Sequence, residues 1–201
     1  MTEADEKQTL HRYLQNAREV LLWKLEGLSD YDIRRPMTPT GTNLLGLVKH
    51  CAGVECGYFG GVVERPFPGE DGLDWHEDDG DLSGHMYAAE TESREQVTDF
   101  YRRVWAHSDA TIEELPLTAR GTVPWWPEER RHPTVHTLLV HAIAETTRHA
   151  GHADIIRESI DGAVGLRKGV SNMPADAGAA AWKEHFDKLE SIARSACPAS
   201  L

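Results

Sequence analysis

Glu145, His149 and His152 follow one another at spacings of four and three residues in the run Ala144-Glu145-Thr146-Thr147-Arg148-His149-Ala150-Gly151-His152. Residues three and four apart share one face of an α-helix, so this run presents a carboxylate and two imidazoles along a single stripe. Both groups are ligands for a divalent metal, and an i, i+4 spacing lets one helix offer two of them to one ion. A third ligand must then come from elsewhere in the chain. His50 is the best placed, because Gly46, Gly53 and Gly57 surround it on one stripe where it is the only side chain. Each glycine inside a helix costs roughly 0.5–1 kcal/mol relative to alanine, so three on one stripe require a reason. Close packing supplies one; open space for a ligand around His50 supplies another.

A plainer reading stands beside the metal. Glu145 and His149 can be an ordinary i, i+4 pair worth a few tenths of a kcal/mol, with Arg148 as a surface partner. His11, His76, His85, His107, His132, His136, His141 and His185 dilute the histidine signal. His141, four residues before Glu145, is either a decoy or a supporting partner.

The elements that must position these groups read as helices. A first helix is expected from about Glu6 to Leu28, with Leu10, Leu14, Ala17, Leu21 and Leu25 on one face. Asp30 to Pro39 reads as a turn stopped by Pro36 and Pro39. A second helix starts at Thr42 or Asn43 and carries an apolar stripe of Leu44, Leu47, Val48, Cys51, Val54 and Tyr58 towards Gly60-Gly61. The stretch 64–84, with eight acidic residues, reads as a solvated loop, since it lacks the residue order of a calcium-binding EF-hand. A third helix runs from about Thr91 to Glu114, where Ser93 and Gln96 fit a capping box. The proline-rich link from Leu115 to Pro133 holds Trp125-Trp126, which either walls a pocket or closes the core.

A fourth helix, from about Thr134 to Ile160, carries the run from Ala144 to His152. On its wheel Val135, Leu138, Ala142, Thr146, Ala153 and Ile156 form one apolar arc. His149 lies inside that arc, Glu145 near its edge and His152 slightly further out. Burying a carboxylate costs several kcal/mol unless it is paired or bound to a cation. After a glycine-rich stretch, a last helix covers about Ala179 to Ala196, with Trp182, Phe186, Leu189 and Ile192 on one side. No strand signals appear. The expected architecture is one all-α domain over 1–201, a four-helix bundle with an extra C-terminal helix.

Composition narrows the function classes. The 201 residues are 40% hydrophobic with six tryptophans, as in a folded globular protein. A net charge of −12 repels phosphate backbones, which argues against a nucleic-acid partner. The polar, acidic start is no signal peptide, and no apolar run approaches the ~20 residues of a membrane span. A cytoplasmic protein with no membrane partner is expected. Cys51, Cys56 and Cys197 are odd in number and show no Cys-x-x-Cys spacing, so neither a disulfide framework nor a redox dithiol is expected. Cys51 reads as a small buried hydrophobe.

Three stretches carry a resemblance: Leu22-Trp23-Lys24-Leu25-Glu26-Gly27-Leu28, Gly41-Thr42-Asn43-Leu44-Leu45-Gly46-Leu47-Val48-Lys49-His50, and Glu145 through Ile155. In combination they resemble the DinB/YfiT-like superfamily, nearest its actinobacterial branch with mycothiol-dependent enzymes, over roughly Thr9 to Ile160. The resemblance implies a four-helix bundle holding a divalent metal, zinc or nickel, on His50, Glu145 and His149. Many relatives have histidine at the first paired position. Glu145 is instead the residue that mycothiol-dependent maleylpyruvate isomerases resemble this chain in having, which leaves the metal open. His152 is the alternative ligand or a supporting base.

The resemblance also implies a low-molecular-weight thiol, mycothiol above all, activated as a metal-bound thiolate for transfer to an electrophile. Arg148, Trp125 and Trp126 are then the side chains expected to touch substrate, and a homodimer is the favoured assembly. The alternatives are a non-catalytic metal-binding stress-response module and a structural helical protein acting through dimerisation.

Overall fold

The computed structural model describes residues 2–68, 73, 75, 83–174 and 177–196. Six α-helices occur among them: α1 Glu3–Trp23, α2 Asp30–Arg34, α3 Leu44–Tyr58, α4 Arg94–Glu114, α5 Val135–Asp161 and α6 Ala179–Ala196. Short 3₁₀ turns cover Gly61–Val63, Gly84–Met86 and Glu128–Arg130. In the bundle, α1 packs on α5 and α4, and α3 packs on α4 and α5, so the four long helices close a ring around the core. The all-α expectation is met, and no described helix is long and apolar enough to cross a membrane.

The caps fall where local chemistry places them. Asn43 accepts a hydrogen bond from the Gly46 backbone N–H at 2.8 Å and starts α3. Ser93 and Gln96 form the expected capping box of α4, and Thr134 caps α5. The faces expected to be apolar are buried. Val97, Tyr101, Val104, Ser108 and Ile112 of α4 are inside, as are Val135, Leu138, Ala142, Thr146, Ala153 and Ile156 of α5.

Two boundaries differ from the sequence reading. The first helix ends at Trp23, five residues before Leu28. Arg157 of α5 donates to the carbonyls of Lys24 and Glu26 at 3.0 and 2.7 Å, which satisfies that helix end from outside. Buried Lys24 pairs with Asp154 of α5 at 2.6 Å, and Gly27 turns the chain at φ +77° so that Leu25 and Leu28 enter the core. The stretch expected as a plain turn holds α2. Ser29 caps it and Ile33 is fully buried, so a single helical turn sinks one apolar side chain before Pro36 stops it.

Most of the acidic loop lies outside the described residues, so its calcium and solvated-connection readings both fall there. Of its eight carboxylates only Glu64 is described, in the left-handed region at φ 58°. Cys51 is fully buried as expected, and burial pushes its thiol well above the ordinary range. Cys197 lies outside the described residues. α6 stands fully exposed along its length, including Phe186, Leu189 and Ile192.

Candidate metal centre

α3 and α5 lie side by side, and this packing brings His50 against His149. Their ring centres are 4.7 Å apart in an edge-on arrangement. Glu145, one turn before His149 on α5, completes the cluster. Each of His50, Glu145 and His149 offers one donor atom, and these atoms all lie within 4.8 Å of one another. Among the described residues this is the one group of three or more such side chains that could hold an ion. Its parts are graded in exposure: His149 is buried, while His50 and Glu145 are partly reachable from solvent.

The electrostatics suit a cation. Burial, helped by His149 and His85 nearby, pushes His50 down to about 4, so the ring is neutral and its nitrogen lone pair available near pH 7. Burial also holds His149 below its usual value, against the opposing pull of Glu145. Glu145 has His149 Nε2 at 3.6 Å, beyond hydrogen-bond reach, as its one ion-pair contact among the described residues. Two neutral imidazoles and a carboxylate thus converge, and among the described residues no Lys or Arg side chain pairs with that carboxylate. This nitrogen, nitrogen, oxygen donor set is one that zinc and other first-row divalent ions accept, so the residues fit a metal.

His152 occupies a different position. Its Nδ1 lies 3.4 Å from His149 Nδ1, whereas Glu145 faces His149 Nε2. It therefore meets the ring edge opposite Glu145 and stands outside the three-residue group. His141 is turned away altogether, against Tyr58 and Trp126 with ring centres 5.0 and 5.1 Å apart.

The glycine stripe on α3 serves packing. A Cβ at Gly46 would collide with the backbone carbonyl of Met86. At Gly53 it would meet the Trp75 indole at 2.9 Å, while at Gly57 the nearest atom is Trp125 Cη2 at 3.9 Å. Of the two reasons the sequence left open, close approach of neighbouring segments is the one realised at Gly46 and Gly53.

The tryptophan pair sits at the far end of α3. Trp126 Nε1 donates to the Tyr58 hydroxyl at 3.1 Å, and the Trp125 ring lies 5.8 Å from Tyr58. Tyr58 follows His50 by eight residues, about 12 Å along a helix, so this pair does not touch the triad. Trp125 is 61% exposed, a surface that a long ligand can reach; Trp126 is held in the fold. Arg148 points to solvent beside His149, with no ion pair or hydrogen bond among the described residues.

Sequence reasoning passed over four side chains that the fold makes important: Arg18, Glu55, Lys49 and His85. Arg18 and Glu55 form a fully buried pair at 2.5 Å, and the Tyr101 hydroxyl donates to the same carboxylate at 3.0 Å. Lys49, next to His50, is buried and reaches Glu92 at 2.9 Å. His85 brings its ring to 5.1 Å from that of His50. It was one histidine among many in the sequence, and no local spacing marked it.

Helices in this ring, with the triad between two of them, define a DinB-like bundle. More closely, residues 9–162 match the family model described as mycothiol-S-transferase, and the chain belongs to that family, within the DinB-like mycothiol-related group. Comparison with the curated proteins gives no match.

Proposed function

We propose that the protein is a metal-dependent transferase of a low-molecular-weight thiol, with mycothiol as the thiol and His50, Glu145 and His149 as the metal-holding residues. The observation that carries this reading is the convergence of those three donors within 4.8 Å, with Glu145 left without a cation of its own. A structural carboxylate in such a place would be expected to have a donor. When bound, a divalent metal there supplies the positive charge that favours the thiolate form of a thiol at neutral pH.

The chain's own residues do the rest. His50 is kept neutral by burial and so remains a ready donor. His149 is oriented by His152, whose ring faces the nitrogen that Glu145 does not. Partial exposure of His50 and Glu145 gives a thiol and its electrophile access from solvent. Exposed Arg148, beside His149, meets substrate through its charge, and exposed Trp125, about 12 Å further along α3, offers its ring face to the far end of a long ligand. Zinc and nickel both suit the donor set, and the carboxylate favours zinc over softer ions.

The test is elemental mass spectrometry of untagged protein, with His50→Ala and His149→Ala alongside, followed by a transfer assay with mycothiol and an electrophilic arene. About one zinc or nickel per chain, lost in both variants together with thiol-dependent turnover, supports the proposal. Bound metal with no thiol-dependent turnover would leave the non-catalytic metal-binding module in its place.

A further inference from the structure

His85 comes to His50 from outside the bundle, on the 3₁₀ turn Gly84–Met86, and the fold invests in placing it there. Gly46 is bare so that the Met86 carbonyl can press against α3. The Asn43 side chain donates to that same carbonyl at 3.5 Å. Further along the segment, Glu92 accepts both from the Ala89 backbone N–H, at 2.6 Å, and from buried Lys49 on α3, at 2.9 Å. The stretch 83–92 is therefore fastened to α3 at three points in the two turns that lead up to His50: Asn43, Gly46 and Lys49.

The ring so delivered is exposed, and neither of its nitrogens has a hydrogen-bond partner among the described residues. Its centre lies 5.1 Å from that of His50, against 4.7 Å between His50 and His149. Two imidazoles bound to one tetrahedral ion through bonds of about 2.0–2.1 Å hold their ring centres about 5 Å apart. Both pairs match that spacing. His85 is not one of the three donors within 4.8 Å of one another, so its ring stands outside that group, beside His50 and more exposed than it. No hydrogen bond among the described residues holds its nitrogens away from the cluster.

We propose that His85 is a fourth, exchangeable protein donor to the metal held by His50, Glu145 and His149. This rests on the metal reading of that triad. It assigns the 83–92 segment the task of completing the coordination sphere from a second, separately fastened part of the chain.

The experiment is a cobalt(II) titration of the full chain followed by visible and near-ultraviolet absorption, for the unaltered protein, His85→Ala, His85→Cys and His149→Ala. His85→Ala is expected to bind cobalt about 10- to 100-fold more weakly and to change the intensity of the visible bands, because the coordination number changes. His85→Cys is expected to gain a sulfur-to-cobalt charge-transfer band absent from the unaltered protein. A residue that only shaped the fold would give no such band. Unchanged affinity and spectrum in His85→Ala, with no new band in His85→Cys, would overturn the inference while His149→Ala still lost the metal. No cobalt uptake by the unaltered protein would overturn the triad reading and this inference together.

Discussion

Glu55 and Glu145 are both carboxylates on the inner sides of bundle helices, and their surroundings are opposite. Glu55 is fully buried and saturated: Arg18 donates from Nε and Nη2 to it, and Tyr101 adds a hydroxyl donor. Glu145 is partly exposed and has only a neutral imidazole, at 3.6 Å. A charge that the fold needs is matched by the fold. A charge left without a Lys or Arg partner beside two neutral imidazoles is what the proposed metal would match. The contrast separates a carboxylate that holds helices together from one proposed to hold a metal, on chemistry that the residue type alone does not reveal.

The comparison breaks most visibly at Arg18. Arg18→Met strands the Glu55 charge in the core, and a loss of about 3–5 kcal/mol is expected in urea denaturation. Tyr101→Phe removes one hydrogen bond to the same carboxylate, and the expected loss in the same experiment is about 1.5–3 kcal/mol. Gly46→Ala forces the Met86 carbonyl off α3. A loss of about 1–3 kcal/mol is expected, and circular dichroism should show the helices intact. Glu145→Gln removes no partnered charge, so metal-free stability should stay within about 0.5 kcal/mol of the unaltered protein.

The smallest effect concerns acid. Burial works against ionisation of Asp109, but the His11 hydrogen bond and the Arg18 charge outweigh it and hold the carboxyl below its ordinary range. A group depressed on folding contributes stability that is complete above the unfolded value and is lost as pH falls through the folded one. Asp109→Asn should therefore lower the melting temperature at pH 7 and flatten its further fall below about pH 4, so that a pH series of melting temperatures brings the two proteins together in acid.

How much of this was legible in the sequence follows the range of the forces. Caps act within three residues, and Asn43, Ser93 with Gln96, and Thr134 all start the helices that their local chemistry indicates. The i, i+4 pair of Glu145 and His149 is equally local. The end of the first helix was not legible, because Arg157 satisfies it from more than 130 positions away. Arg18 and Glu55 are 37 positions apart, and neither gives a sign in its own neighbourhood that it will be buried. His50 stood out through its bare stripe, yet the stripe turned out to record what covers α3, and it was this cover that brought His85 to the site.

The most direct test of the contrast is thermal unfolding of the unaltered protein, Glu145→Gln and Arg18→Met, each with and without excess zinc. A ligand that binds only the folded state raises the midpoint. Zinc should raise the midpoint of the unaltered protein and not that of Glu145→Gln, these two should coincide without metal, and Arg18→Met should melt lower under both conditions. A metal-free Glu145→Gln midpoint as low as that of Arg18→Met, or an unaltered protein indifferent to zinc, would contradict that contrast.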